Sequence, residues 1–314
     1  AELPERLSAG RAALLVNTGA GERSTAVLPA AATVVEGPVA PGWVDKLAAR
    51  VAPLPAVRPE TVFNASDVGR FRRCPRAYYY GTVAALPEPP AEPAFRTGDA
   101  RPPGRIIGDI LHRCLELAAP GQEAEEALAR AAAEKAPRNW RAAAVAEVRP
   151  LLARYLGGDL RKETDRYPVR REWRFAFHLP DAENRSVYTF TGRVDCLVDY
   201  QDGSFGIVDY KTDKVAAGEA PAKTGEYALQ LALYAMAAEA AGLGRARDAR
   251  LHFLRPGLTA AVPVDAAARA AATAGLLEVC RHVARHGDER DYPANTAWCQ
   301  HCGYRVLCDQ YKPS

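Results

Sequence analysis

The chain has 314 residues, enough for one elaborated domain or two. Its 41 Lys and Arg residues nearly balance 38 Asp and Glu residues, so any strongly charged binding surface must be local. No apolar run approaches the ~20 residues of a transmembrane helix, and no basic-then-apolar signal sequence opens the chain. We therefore expect a cytoplasmic protein with no membrane partner.

The first 60 residues carry few structural signals. Prolines at positions 53, 55 and 59 are typical of a linker, so we place a domain boundary near residue 60. The chain is thus divided into an N-terminal segment of open role, residues 1–60, and a larger domain, residues 61–314. Gly19-Ala20-Gly21 lacks the spacing and the Lys-Ser/Thr pair of a phosphate-binding loop.

Periodicity in the larger domain predicts helices and strands in a mixed order. Asn64 is a capping residue for a helix that runs past Cys74 to Tyr80. Further helices are predicted at 105–117, 123–135, 139–156, 226–241 and 266–285, and strands at 169–179, 187–200, 205–211, 249–254 and 260–264. The pattern predicts an α/β fold, a mixed central β-sheet flanked by helices.

A hairpin turn sets the register of two predicted strands. Gln201-Asp202-Gly203 lies between apolar runs, and Asp-Gly is a strong hairpin signal. A three-residue loop with Gly203 in the left-handed conformation places Asp195 directly opposite Asp209. A two-residue loop would shift the register by one and place the acids on opposite faces.

Asp209 and Lys211 are two residues apart on a strand and therefore point to the same face. With Asp195 they form a group of two acids and a lysine. Two carboxylates can hold a hard divalent cation, and the lysine can orient a water or offset charge on a phosphate. This is the minimum equipment for metal-dependent phosphodiester hydrolysis; the alternative is a solvated strand that carries Asp and Lys by chance.

Four more side chains are candidates for the same site. His112 lies on a predicted helix and is either a nitrogen ligand for the metal or a core or surface histidine. Glu172, on the first strand of the meander, is an accessory acid or a surface residue. Gln230 and Tyr234 are four residues apart and share one helix face, as partners of the site or as ordinary helix surface.

Seven cysteines, an odd number, argue against a disulfide framework. Three of them lie in periodic apolar segments and are predicted to be small core residues: Cys114, Cys196 and Cys280. The other four predict a four-thiolate site: Cys74 with Cys299-x2-Cys302-x5-Cys308. Arginines around Cys74 are either a solvated face or a local contact for DNA: Arg70, Arg73 and Arg76.

Together these residues resemble the RecB-type nuclease domain of the PD-(D/E)xK superfamily. The resemblance covers roughly residues 61–314 and rests on four motifs in the family's order: Gly108-x3-His112, Gly192-Arg193-Val194-Asp195, Val208-Asp209-Tyr210-Lys211-Thr212 and Gln230-x3-Tyr234. The cysteine pattern is similar to that of the iron-sulfur subgroup, which includes the AddB nuclease domain and the CRISPR-associated adaptation exonucleases. It implies a restriction-endonuclease-like core whose C-terminus is stapled by a cluster.

The resemblance also implies roles for the site residues. Mg²⁺ or Mn²⁺ would be held by His112, Asp195, Asp209 and the backbone carbonyl of Tyr210. Lys211 would position the attacking water, and the pair Gln230 and Tyr234 would support the site or the DNA. Cys74, Cys299, Cys302 and Cys308 would bind a [4Fe-4S] cluster with a structural role; zinc is the alternative, since four cysteines suit it too.

The function implied is a metal-dependent DNA nuclease, an exonuclease acting on single strands or DNA ends in recombination or repair. It would act alone or as the nuclease part of a helicase-nuclease; the sequence contains no Walker motif, so this chain cannot itself be the motor, and its partner would be a helicase subunit or domain. Two alternatives stay open. One is a non-cleaving iron-sulfur module that grips DNA for a partner helicase, and the other is an exonuclease of the CRISPR-adaptation type.

Overall fold

The computed structural model describes residues 62–88, 102–117, 124–213 and 215–311. The N-terminal segment 1–60 and the boundary predicted at its end lie outside these residues. Within them the chain forms a six-stranded mixed sheet flanked by α-helices. None of the helices placed in the structure combines the length and the apolarity needed to cross a bilayer.

The strands are β1 (Val62–Asn64), β2 (Val169–Asp181), β3 (Ser186–Asp199), β4 (Ser204–Lys211), β5 (Arg245–Phe253) and β6 (Leu258–Val262). The helices are α1 (Ala65–Arg73), α2 (Pro75–Tyr78), α3 (Gly104–Leu117), α4 (Ala124–Lys135), α5 (Arg138–Gly157), α6 (Asp159–Thr164), α7 (Ala220–Ala240) and α8 (Ala266–Arg285). Single turns of other helix types lie at Tyr79–Val83, Ala217–Glu219, Glu289–Asp291, Thr296–His301 and Gly303–Val306.

Strand β3 organises the sheet. It pairs antiparallel with β2 along one edge, while its other edge pairs first with β1 in parallel and then with β4 antiparallel. Strand β5 lies parallel to β4, and β6 is antiparallel to β5. The three-stranded meander and the mixed sheet predicted from the sequence are both confirmed.

The hairpin between β3 and β4 has the predicted register. Cys196 pairs with Val208 and Asp199 with Phe205, and the Tyr200 N–H donates to the Ser204 carbonyl at 3.1 Å. Gly203 has a φ of +80°, the left-handed conformation that glycine adopts without steric cost. Extended by one pair, this register sets Asp195 opposite Asp209.

Apolar side chains pack on both faces of the sheet. Helices α1, α7 and α8 cover one face, where Phe190 and Ile207 are fully buried. Helices α3 to α6 cover the other face, over Cys196 and Val208. All residues of β4 except the last are buried, as expected for a central strand covered on both sides. The predicted core cysteines Cys114, Cys196 and Cys280 are each fully buried.

The sequence prediction was wrong at one helix. A single helix was predicted from Asn64 to Tyr80, but α1 ends at Arg73 and Cys74 is extended, with φ −157° and ψ 106°. Pro75 is the cause, because the proline ring disfavours helical conformation in the residue before it. Asn64 caps α1 as predicted, since its side chain accepts from the Ser66 N–H at 3.1 Å.

Other elements differ in extent. Helix α7 begins at Ala220, six residues before the predicted start at 226. The three-residue strand β1 and the six-residue helix α6 were not predicted. Both are too short for a periodic pattern to show, and β1 forms only because it pairs with β3.

Candidate active site

A cleft of about 690 Å³ lies where β3 and β4 meet α3 and α7. Every side chain predicted for catalysis or metal binding lines it: His112, Glu172, Asp195, Asp209, Lys211, Gln230 and Tyr234. These residues come from five separate elements. The fold therefore brings together residues that are far apart in the sequence.

Strand alternation places Asp209 and Lys211 side by side at the end of β4. The Lys211 ammonium nitrogen Nζ lies 2.6 Å from Asp209 Oδ2, and the Asp209 side chain is 2% exposed. Burial opposes the charge on Lys211, but the carboxylates of Asp209 and Asp195 raise its pKa. Lys211 is therefore a permanent positive charge at the floor of the cleft.

The two aspartates titrate in opposite directions. Burial raises the pKa of Asp209 to about 6, and the nearby Asp195 charge adds to this while Lys211 opposes it. Burial also disfavours charge on Asp195, but His112, Lys211 and the Tyr210 N–H lower its pKa below the ordinary value. Asp195 is thus the permanent anion of the pair, and Asp209 exchanges its proton more readily near neutral pH.

His112 reaches the cleft from α3. Its Nδ1 lies 3.4 Å from Asp195 Oδ1. Burial works against protonation, but Asp195 outweighs it and raises the pKa of His112 to about 9. A Cβ at Gly108 would lie 3.4 Å from the Thr212 hydroxyl, an ordinary contact distance, so α3 lies next to the end of β4 at this position.

Glu172 lies closer to the other candidate metal ligands than the accessory role predicted from the sequence requires. Ligand atoms of His112, Glu172 and Asp195 all lie within 4.8 Å of one another, a spacing that could hold one metal ion. Burial and the charge of Asp195 raise the pKa of Glu172 to about 7, while its ion-pair partner Arg193 opposes the shift. Glu172 is therefore a candidate ligand beside the predicted His112, Asp195 and Asp209.

Tyr210 contributes through its backbone. Its N–H donates to Asp195 Oδ2 at 2.8 Å. The N–H and C=O of a strand residue point to the same neighbour, so the Tyr210 carbonyl also faces β3, the direction needed for the predicted metal contact. The ring itself is buried, and its hydroxyl lies 2.7 Å from that of Tyr155.

Gln230 and Tyr234 form a hydrogen-bonded pair on α7. The Gln230 amide nitrogen donates to the Tyr234 hydroxyl at 2.6 Å, and Tyr234 is only 4% exposed. Burial, with the charges of Asp209 and Asp195, raises the pKa of Tyr234 well above its usual value. The phenol keeps its proton and can donate it toward the cleft, so these two residues are not ordinary helix surface.

Sequence reasoning missed several residues of the cleft wall. Asp109, Arg113 and Glu116 line it from α3, where Arg113 pairs with Glu116 at 2.6 Å. Asp109 lies three residues before His112 and so shares its helix face, a spacing that could have been used to find it.

The four predicted cluster ligands surround a second cavity of about 220 Å³, which is lined by Cys74, Cys299, Cys302 and Cys308. All seven cysteines of the chain are free thiols. Among the described residues, no three of the cysteine sulfurs lie within 4.8 Å of one another. Arg70, Arg73 and Arg76 also line this cavity and give it a positive wall.

Arg76 does not have the exposed position that contact with DNA requires. Its side chain is 8% exposed and donates to the Tyr292 carbonyl at 2.8 Å. It also forms ion pairs of 2.7 Å with Glu289 and Asp309. The guanidinium is therefore used inside the protein to fix the C-terminal segment, which contradicts the predicted DNA contact.

The fold and the site geometry agree with a comparison against known families. A sequence profile described as the PD-(D/E)XK nuclease superfamily matches residues 62–309. The chain belongs to this superfamily. Membership supports a nuclease activity, and the mixed sheet flanked by helices fits the restriction-endonuclease-like core of PD-(D/E)XK nucleases.

Individual relatives are more distant. An ATP-dependent helicase/nuclease subunit from Desulforudis audaxviator (strain MP104C) is 29% identical over 181 residues, which are 54% of this chain and 15% of that protein. The chain thus corresponds to a small part of that relative. Among solved structures, that of SSO0001 is similar over 86% of this chain and 93% of its own, with 15% identity and a TM-score of 0.41.

Proposed function

We propose that this PD-(D/E)XK domain is a divalent-metal-dependent deoxyribonuclease that acts as an exonuclease on single strands or DNA ends. The observation that carries the proposal is the single cleft that gathers His112, Asp195, Asp209 and Lys211. Local similarity to a helicase/nuclease protein supports a role beside a helicase, and we propose that this role is in recombination or repair. Cleavage would take place in this domain, and DNA unwinding would belong to the partner.

The donor set fits a hard divalent cation. Carboxylate oxygens with one imidazole are ligands that Mg²⁺ and Mn²⁺ accept. Asp195, His112 and Glu172 would hold the ion together with the Tyr210 carbonyl, and Asp209, the cross-strand neighbour of Asp195, would add the further carboxylate expected from the sequence. When bound, the ion supplies Lewis-acid charge at the scissile phosphate.

The remaining steps use residues of the chain itself. Lys211 stays charged, so its ammonium group can offset negative charge that develops on the phosphate and can orient a water. Tyr234 keeps its proton, so its hydroxyl can donate a hydrogen bond to a phosphate oxygen. Gln230 holds that hydroxyl in place.

We also propose that the four cysteines bind a [4Fe-4S] cluster. Around zinc, with bonds of ~2.3 Å, cysteine sulfurs would lie about 3.8 Å apart, whereas no three cysteine sulfurs of the described residues lie within 4.8 Å of one another. In a cluster each thiolate binds a different iron, which suits ligands set around a cavity. Arg70 and Arg73 in the wall favour a group of net negative charge, whereas the charge of Arg76 is already paired with Glu289 and Asp309.

Two substitutions test the nuclease. Asp209→Asn and Lys211→Ala should each lower Mn²⁺-dependent digestion of end-labelled single-stranded DNA by at least ~100-fold, because each removes charge at the reacting phosphate. Asp199→Asn is the matched control, since Asp199 is an exposed acid on the same hairpin that does not line the cleft. Thermal unfolding of each variant would confirm that it is folded.

Full activity in either cleft variant would overturn the assignment. A wild-type protein that binds DNA but releases no nucleotide with Mg²⁺ or Mn²⁺, relative to an EDTA control, would support the non-cleaving module instead. Digestion of circular single strands as fast as linear ones would contradict the exonuclease part of the proposal.

A further inference from the structure

A third cavity, of about 650 Å³, continues from the catalytic cleft. It lies between α1 and α7 and shares Ser66, Lys211 and Gln230 with the cleft. Its far wall contains Trp298, the neighbour of the predicted cluster ligand Cys299. We call this cavity the α1/α7 groove. It joins the site of the proposed cleavage to the C-terminal segment.

The groove is basic. Helix α1 contributes Arg70, Arg72 and Arg73 to its wall. Within the described part of the chain, no carboxylate oxygen lies within 4.0 Å of the Arg72 or Arg73 guanidinium. The acid in the wall, Glu226, is paired with Lys223 at 2.8 Å. The positive charge of Arg72 and Arg73 is therefore available to an anionic ligand.

Aromatic rings alternate with these cations. The Arg73 guanidinium lies over the Trp298 ring, 4.7 Å from its centroid. The Lys211 ammonium lies over the Tyr227 ring, 4.4 Å from its centroid. Cationic groups that follow a phosphate backbone, interleaved with aromatic rings, are typical of surfaces that bind single strands. In a duplex the bases are stacked inside and cannot reach such rings.

A glycine on each helix leaves open space along the groove. Gly69 on α1 and Gly225 on α7 both line it, and a Cβ built at either position would meet no atom within 4 Å. The backbone of each helix is thus open to close approach. Glycine costs a helix about 0.5–1 kcal/mol relative to alanine, so the open space at these two positions is kept at some expense to helix stability.

We propose that the α1/α7 groove binds the single-stranded part of a DNA substrate next to the scissile phosphate, with Arg72 and Arg73 on its phosphates. Trp298 holds Arg73 in orientation beside the path of the strand. This inference rests on the proposed nuclease function, because it assigns the path by which that cleft receives its strand. It also brings the strand close to the cysteine site, since Trp298 lines both the groove and the cavity of the four cysteines.

Binding without cleavage tests the groove separately from the nuclease. Fluorescence anisotropy with a labelled oligothymidylate of about 20 nucleotides, in EDTA, would give the affinity and its salt dependence. Arg73→Ala should weaken binding about tenfold and lower the slope of log affinity against log salt by about 1, as for one lost phosphate contact. Arg138→Ala is the matched control, an exposed arginine of α5 that lines no part of the groove.

A second pair of variants separates the effect of charge in the groove from the effect of misfolding. Gly69→Glu places a negative charge in open space and should weaken strand binding at least as much as Arg73→Ala, while Gly69→Gln, of the same size, should weaken it less. Both favour the helix, so neither should lower its stability.

If Arg73→Ala and Gly69→Glu bound the single strand with wild-type affinity, the proposal for the groove would be overturned, even if the protein cleaves DNA. If both variants lost as much affinity for a blunt duplex of the same length as for the single strand, the proposal would also be overturned, since it requires unpaired bases. A wild-type protein that binds strands through Arg73 but never cleaves them would leave the groove standing and refute the nuclease.

Discussion

Glu172 is the residue whose conformation is hardest to explain by folding alone. It lies near the start of β2 with a φ of +52°, a region that a residue with a Cβ rarely adopts. Such strain costs roughly 1–3 kcal/mol and persists only where surrounding contacts hold it. The ion pair with Arg193 and the neighbouring β3 provide that hold. The strain turns the carboxylate toward His112 and Asp195, which favours a metal-binding role.

Replacing Glu172 tests this role directly. Glu172→Gln keeps the size of the side chain and removes a charged ligand, so the affinity for Mn²⁺ should fall by about 10–100-fold in calorimetric titration. Glu116→Gln is the control, since Glu116 lines the same cleft but does not belong to the group of close ligand atoms. Equal metal affinity in wild type and Glu172→Gln would show that Glu172 is not a ligand.

Metal binding should also depend on pH in a defined direction. Ligands bind a cation in their deprotonated form, and the pKa values of Glu172 and His112 are raised to about 7 and about 9. Protons therefore compete with the metal below these values, and Mn²⁺ affinity should rise as the pH increases from about 6 to about 9. Titrations in two buffers of different ionisation enthalpy would measure the protons released, and Glu172→Gln should release fewer near pH 7.

At the scale of elements, one glycine controls how α1 sits on the sheet. A Cβ at Gly192 in β3 would lie 2.8 Å from the Phe175 ring and 3.1 Å from the Ala65 Cβ. Glycine therefore lets the first residue of α1 touch β3 directly. The contact places α1 beside the cleft and so positions both the arginines of the groove and Cys74.

Larger side chains at position 192 should destabilise the domain. Valine normally favours strands, but here it would overpack the α1–β3 contact, so Gly192→Val should lower the free energy of unfolding by about 1–3 kcal/mol in urea titration. Gly69→Ala is the control. Gly69 lies on α1, where a Cβ would enter open space, so this substitution should raise the free energy of unfolding by about 0.5–1 kcal/mol. A Gly192→Val variant as stable as wild type would show that α1 can move away without cost.

Sequence patterns predicted the features of the fold that depend on neighbouring residues in the chain. The Asp-Gly turn and strand alternation gave the register that sets Asp195 opposite Asp209, because turn length alone fixes which residues pair. The strand β1 was missed because its pairing partner in β3 is remote in sequence. The central position of Glu172 was missed for a similar reason, since its backbone conformation depends on Arg193 from another strand.

At the scale of the whole molecule, the C-terminal segment is attached to α1 and α2 in two ways. The four thiols meet around one cavity, and Arg76 separately binds Glu289, Tyr292 and Asp309. The hydroxyl of Tyr80 adds a 2.6 Å hydrogen bond to Glu289. Because the ionic contacts do not depend on an inorganic group, losing the proposed cluster should loosen this segment without releasing it completely.

Because the thiols and the Arg76 contacts attach the C-terminal segment separately, we can predict the effect of Cys302→Ala. Anaerobically purified wild-type protein should absorb near 400 nm through its proposed cluster, and the variant should lose this band and several degrees of melting temperature. Trypsin should then cut faster at Arg305, while Arg76, still paired and buried, stays protected. Cys114→Ala is the control, because Cys114 is a core thiol remote from the cavity and its loss should leave the band intact. A colourless wild-type protein with one zinc per chain would refute the iron-sulfur assignment but not the ionic attachment.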